Sequence, residues 1–156
     1  MQGNAKIIER LNDLLAGELT AIDQYFCHAE MYRNWGFTRL FERTNHEMED
    51  EREHSRALIA RILFLEGVPN LAKREALKIG QDARSMLKSD LELEYSVIRN
   101  LRAVIAECEA AGDYLTREIL EKMLDDTEED HTHWLEKQLH LIEHIGLANY
   151  LQSQIG

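Results

Sequence analysis

Six residues of this 156-residue chain are of types that ligate metal ions: Glu18, Glu51, His54, Glu94, Glu128 and His131. Two of them, Glu51 with His54, make a Glu-x-x-His pair, and Glu128 with His131 make another. Residues three apart share a helix face. The spacing alone is weak evidence, since 20 Glu and 7 His in 156 residues give about one such pair by chance. Register is the stronger argument. Glu18 and Glu94 stand 76 positions apart, and Glu51 to Glu128 and His54 to His131 are each 77 apart. The chain therefore presents the same ligand set twice, one Glu followed by one Glu-x-x-His. All six interrupt apolar stripes at positions the helical period assigns to the core. A buried carboxylate is costly unless its charge is compensated, and four together repel. A pair of divalent cations answers both problems. Mixed Glu/His ligation suits iron or manganese, with zinc as competitor. Two such ions ~3.5–4 Å apart can activate dioxygen or peroxide between them.

Other residues near these have two readings each. Tyr25 lies two turns beyond Glu18 on the same stripe and is either an electron donor facing the metals or a packed aromatic. Trp134, one turn beyond His131, carries the same alternatives. His46 and Asp50, four apart beside Glu47, form either a secondary cation site or a solvated helix face. Outside Glu128, the acidic run of Asp125, Asp126, Glu129 and Asp130 reads as a hydrated or pore-lining face.

The elements that must position these residues are helices. One Pro and 8 Gly leave too few turns for a sandwich or barrel, which needs a turn every ~8–12 residues. Helical periodicity runs over about 5–34, 38–66, 82–110 and 114–144. Gly36 ends the first, Gly67-Val68-Pro69 stops the second, and Gly112-Asp113 separates the last two. The stretch from Gly67 to about Gly80 reads as a long crossover between two helical hairpins. A short apolar tail, 147–155, is too short to be stable alone, and a neighbouring subunit is its expected surface. The fold class is all-α, a single four-helix domain with a long crossover and a short fifth helix.

Composition sets the outer bounds. Forty-four per cent hydrophobic residues can bury a core. A net charge of −11 argues against a nucleic-acid partner and favours cations. No stretch approaches the ~18 apolar residues of a membrane span, and the N-terminus lacks a signal-peptide core, so a cytoplasmic location is expected. Cys27 and Cys108 read as reduced packing residues.

The motifs resemble the bacterioferritin and bacterial ferritin family over essentially the whole chain. The resemblance rests on Leu14-Leu15-Ala16-Gly17-Glu18-Leu19, Gln24-Tyr25-Phe26, His46-Glu47 through Glu51 and His54, and Arg61 to Gly67. It continues through Asp90-Leu91 with Glu94, Glu128-Glu129 through His131, Trp134-Leu135-Glu136, and the tail from Gly146 to Gln152. It implies a ferritin-like bundle that assembles into a hollow 24-subunit shell. It also implies ferroxidase activity, with Fe(II) oxidised by O2 or H2O2 and stored as ferric mineral. Glu51 and Glu128 would bridge the di-iron centre, Glu18 and His54 would complete one iron, and Glu94 and His131 the other. His46 and Asp50 match an inner-surface iron site of some members. Tyr25 and Trp134 match redox-active aromatics, and Leu58 stands where some members have a tyrosine. Haem-bearing members carry a methionine beside the bridging glutamate of the second helix. Here that position is Arg52, so haem b is not expected in the homomer. Met48 and Met31 are the nearest thioethers, each either a compensating haem ligand or, as expected, a buried packing residue. A mixed shell with a haem-bearing subunit and a ferredoxin-type reductant for iron release complete the implied partners. A non-storage di-iron oxidase or peroxidase on the same bundle is the alternative activity.

Overall fold

A computed structural model describes all 156 residues, with six α-helices and no strand. Helices α1 (Ala5–Trp35) and α2 (Thr38–Phe64) form the first hairpin, and α3 (Ala83–Ala111) opens the second. The fourth rod is continuous but of two kinds. It runs as α4 (Tyr114–Asp125), a π-helical turn (Asp126–Thr132) and α5 (His133–Ile145). Helix α6 (Leu147–Ser153) follows.

The helix ends follow local chemistry. Asn4 accepts hydrogen bonds from the Lys6 and Ile7 amides at the start of α1, and Asp82 and Ser85 form a reciprocal capping box on α3. Gly36 takes φ +84°, a left-handed conformation that lets the Phe37 amide reach back to the Tyr32 carbonyl. Asp113 caps α4 through the Thr116 amide.

The crossover, residues 65–82, is held by side chains of α1 instead of by a strand partner. Asn12 accepts from the Asn70 amide, Thr20 from Glu75, Gln24 from Lys78 and His28 from Gly80. Those four side chains fall at multiples of four, which is one stripe of the helix. The crossover therefore runs alongside α1 from its start to its end, and α2 and α3 point the same way. At Gly80 the backbone passes so close that a Cβ would sit 2.5 Å from the Met86 nitrogen.

Two apolar clusters fill the ends of the bundle. Leu11, Leu15, Leu58, Ile62, Leu101 and Leu120 pack near the N-terminus of α1. Tyr32, Leu40, Met86, Leu87, Leu135 and Tyr150 pack at the other end. Between them lies a waist of buried polar residues.

Two expectations need correction. Helix α6 docks on its own bundle: Tyr150 is fully buried and its hydroxyl donates to Gln138, because Gly146 at φ +82° turns the chain back. Cys108 is a buried packing residue as expected, but Cys27 is exposed.

Candidate metal centre

Each helix of the bundle sends ligand-type side chains into the waist. Glu18 comes from α1, Glu51 and His54 from α2, Glu94 from α3, and His131 from the π turn. Glu18, Glu51, Glu94 and His131 are at most 1% exposed, and His54 is nearly as buried. Two candidate ligand groups result, Glu18/Glu51/His54 and Glu51/Glu94/His131, sharing Glu51. Nδ1 of His54 lies 3.1 Å from Glu51 Oε2 and 3.5 Å from Glu18 Oε2. Nδ1 of His131 lies 2.8 Å from Glu51 Oε1 and 3.5 Å from Glu94 Oε1. The two imidazole rings face one another with centroids 6.0 Å apart.

These groups fit metal ions on a structural criterion. Glu18 Oε2, Glu51 Oε1, Glu94 Oε2 and His131 Nδ1 are buried without a hydrogen-bond partner, although Glu51 Oε1 and His131 Nδ1 are 2.8 Å apart. Buried polar atoms are nearly always paired, so four orphans in one place mark a ligand-shaped gap in the bonding. The charges respond accordingly. Burial, then the charge of Glu51, pushes Glu18 well above the usual carboxylate range, and the same causes push Glu94 up to about 7. Burial would raise Glu51 too, but close contacts with Glu18, His131 and His54 hold it far below its ordinary value. Burial opposes charge on both histidines and loses to their carboxylate neighbours, so both are raised far above the ordinary imidazole value. In the metal-free protein, two imidazolium ions carry the positive charge that cations would supply.

Glu128, expected in this set, stands outside it. Its carboxylate is partly exposed and pairs with Arg102 at 2.5 Å. The reason is the π turn. Its i→i+5 bonding places residues four to five apart on one face, where an α-helix places three to four. Counting back from His131, the inward positions fall on Thr127, which is buried, and Asp126, whose carboxylate reaches His54 Nε2 at 2.7 Å. The register agrees. Asp50 to Asp126 and Glu51 to Thr127 are both 76 apart, as Glu18 to Glu94 is. The residue that raises the histidine spacing to 77 is therefore the one the π turn absorbs. Asp126 and Thr127 are hidden in or beside an acidic run, and this 76-residue offset is the sequence signal for them.

Tyr25 is buried and its hydroxyl donates to Glu94 Oε1, so it touches a candidate ligand directly. Burial, then Glu94 and Asp90, raises its phenol well above the usual value. Trp134 is reached through Arg43, whose guanidinium lies 5.0 Å over the ring and contacts Glu47 and Asp130. His46 is exposed, and Asp50 Oδ2 lies between the two rings, 3.4 Å from His46 Nε2 and 3.2 Å from His131 Nε2, with the hydrogen bond made to His131. The group that closes there is Glu47, Asp50, Asp130 and His131, without His46. Met48 is buried against Ala21 and Tyr25, so it points into the bundle and cannot serve a haem on the outer surface. Arg52 is exposed beside Glu49. The residues at the expected haem position do not fit a thioether-ligated haem.

The chain matches the Ferritin-like domain over residues 8–145. It is 54% identical over 155 residues to a bacterial ferritin of Neisseria meningitidis serogroup B, covering 99% of this chain and 100% of the relative. It is 52% identical over 156 residues to a bacterial ferritin of Synechocystis, covering both chains fully. A bacterioferritin of Mycobacterium leprae is 43% identical over 150 residues, covering 96% of this chain and 94% of the relative.

Proposed function

The chain belongs to the ferritin-like domain family, and we propose that it is a ferroxidase and iron-storage subunit. On this reading Fe(II) is oxidised at a paired site within each chain and kept as ferric mineral inside a shell of 24 copies. The observation that carries it is the set of four orphaned, buried ligand atoms on Glu18, Glu51, Glu94 and His131.

Glu18 and His54 hold one Fe(II), Glu94 and His131 hold the other, and Glu51 lies between them with one oxygen toward each histidine. The substrate ions give up one electron each to O2 or H2O2. Glu51 stays ionised throughout, and Glu18 and Glu94 change charge most easily, which lets the site shed protons as Fe(II) enters. Tyr25, hydrogen-bonded to Glu94, is placed to supply a further electron. The net charge of −11 favours cation entry and ferric nucleation on acidic surfaces. The chain has no helix long and apolar enough to cross a membrane, and the proposed setting is the cytoplasm. A ferredoxin-type reductant would release the iron.

The test is anaerobic Fe(II) titration followed by exposure to each oxidant. Two Fe(II) per chain should bind and oxidise rapidly. His131→Ala should abolish the fast phase while the assembly persists, and an unchanged rate would refute the assignment.

A further inference from the structure

We propose that Asp126 and Asp50 are positioning residues for this centre, each holding the imidazole of the opposite rod so that its Nδ1 faces the metals. The inference rests on the metal-centre reading above. Asp126 Oδ2 lies 2.7 Å from His54 Nε2, and Asp50 Oδ2 lies 3.2 Å from His131 Nε2. In both histidines Nδ1 is the nitrogen that faces the shared Glu51. A neutral imidazole has one N–H, so a ring that ligates through Nδ1 keeps its proton on Nε2. A carboxylate accepting that proton fixes both tautomer and ring orientation and makes the ligating nitrogen more basic.

The arrangement is reciprocal. Helix α2 supplies Asp50 to the histidine of the fourth rod, and the fourth rod supplies Asp126 to the histidine of α2. The two aspartates are 76 positions apart, in the register of Glu18 and Glu94. Asp50 precedes its own rod's histidine by four residues, one α turn. Asp126 precedes His131 by five, one π turn, so the wider turn is what brings Asp126 round to His54. Glu47 and Asp130 are both contacted by Arg43, and Glu47 Oε2 also lies 2.6 Å from His131 Nε2 without making a hydrogen bond to it, so Asp50 is the carboxylate hydrogen-bonded to this ring.

The experiment uses the full, metal-free chain titrated anaerobically with Co(II), whose visible bands report ligand number and geometry. Wild type should take two Co(II) per chain, and His54→Ala and His131→Ala should each remove one, giving reference spectra for the two positions. Asp126→Ala should weaken the His54 position by about 10–100-fold and leave the other near wild type, and Asp50→Ala should do the reverse. Asp126→Asn, whose amide oxygen still accepts from Nε2–H, should restore most of the affinity and the spectrum. Asp126→Ser, too short to reach the ring, serves as a second removal variant if the alanine protein does not fold. Wild-type affinity and spectrum in both removal variants would overturn the positioning role while leaving the metal centre intact. If His54→Ala and His131→Ala also kept both Co(II) ions, the metal-centre reading itself would fall, and this inference with it.

Discussion

Among single residues, the two histidines set the pH behaviour. Their neighbours hold both protonated in the metal-free protein through neutral pH, because contacts with carboxylates outweigh burial. Ligation needs Nδ1 free, so the metal-free form binds more protons than the loaded form. Metal affinity therefore rises with pH, and loading expels protons. Co(II) loading in an unbuffered pH-stat should release at least two protons per chain at about pH 8, from the histidines, and Glu18 adds to them wherever it is still protonated. Glu94, pushed up to about 7, is largely protonated at about pH 6, so roughly one more proton should appear there than at the higher pH. Equal release at both pH values would show either that Glu94 is already ionised at about pH 6 or that it is not a ligand. Tyr25 gives a second prediction. Tyr25→Phe removes the donor to a buried Glu94 oxygen, which should cost about 1–3 kcal/mol in the metal-free protein, read by thermal unfolding. It should also remove any tyrosyl radical signal seen by electron paramagnetic resonance after peroxide treatment.

Among the elements, the π turn most alters the site, and it makes a sharp prediction. Deleting one residue from an α-helix rotates everything beyond it by about 100°, which would swing Leu135 and Ile142 out of the core. Deleting Thr127 should not do this, because the π turn already holds one residue more than an α turn. The deletion should leave α5 packed, lower the melting temperature only slightly, and return the segment to α geometry, in which Glu128, three residues before His131, turns inward onto its face. Deleting Ala103 from the middle of α3 should unfold the chain, as followed by circular dichroism. The same turn divides what is legible in the sequence from what is not. Apolar periodicity and Gly/Pro stops locate the helices to within two residues or so. Glu18, Glu51, His54, Glu94 and His131 converge because a carboxylate or imidazole in an apolar stripe is tolerated only where its charge or hydrogen-bonding capacity is met. Glu128 falls outside because the periodic reading assumes 3.6 residues per turn throughout. The 76-to-77 step in register is visible, but periodicity alone does not say where between residues 94 and 131 the extra residue goes. The polar stripe of Asn12, Thr20, Gln24 and His28 carries no such signal, because its partners are backbone amides of a segment without period.

Across the whole molecule, apolar side chains remain outside the bundle. Phe26 on α1 and Val68, Leu71 and Leu77 on the crossover are all about half exposed or more. In the proposed shell these are surfaces for other copies, so Phe26→Asp with Leu71→Asp should lower the native mass while leaving helicity unchanged. A native mass equal to wild type would place the contacts elsewhere. The outer face of α2 bears on haem. Arg52 is 48% exposed there, paired with Glu49, while Met48 is 8% exposed and packed on Tyr25. A thioether must reach the outer face to ligate haem iron shared between two copies, and a guanidinium lacks the soft donor that would replace it. Moving Met48 outward would take its side chain from Ala21 and Tyr25 beside the metal centre, a core loss of about 2–5 kcal/mol by analogy with truncating a buried methionine. The homomer purified from haem-replete cells should therefore show no Soret band. Arg52→Met places a thioether where the arginine stands and should introduce one. A strong band in the wild type that Met48→Leu abolishes would show that the buried methionine does turn outward.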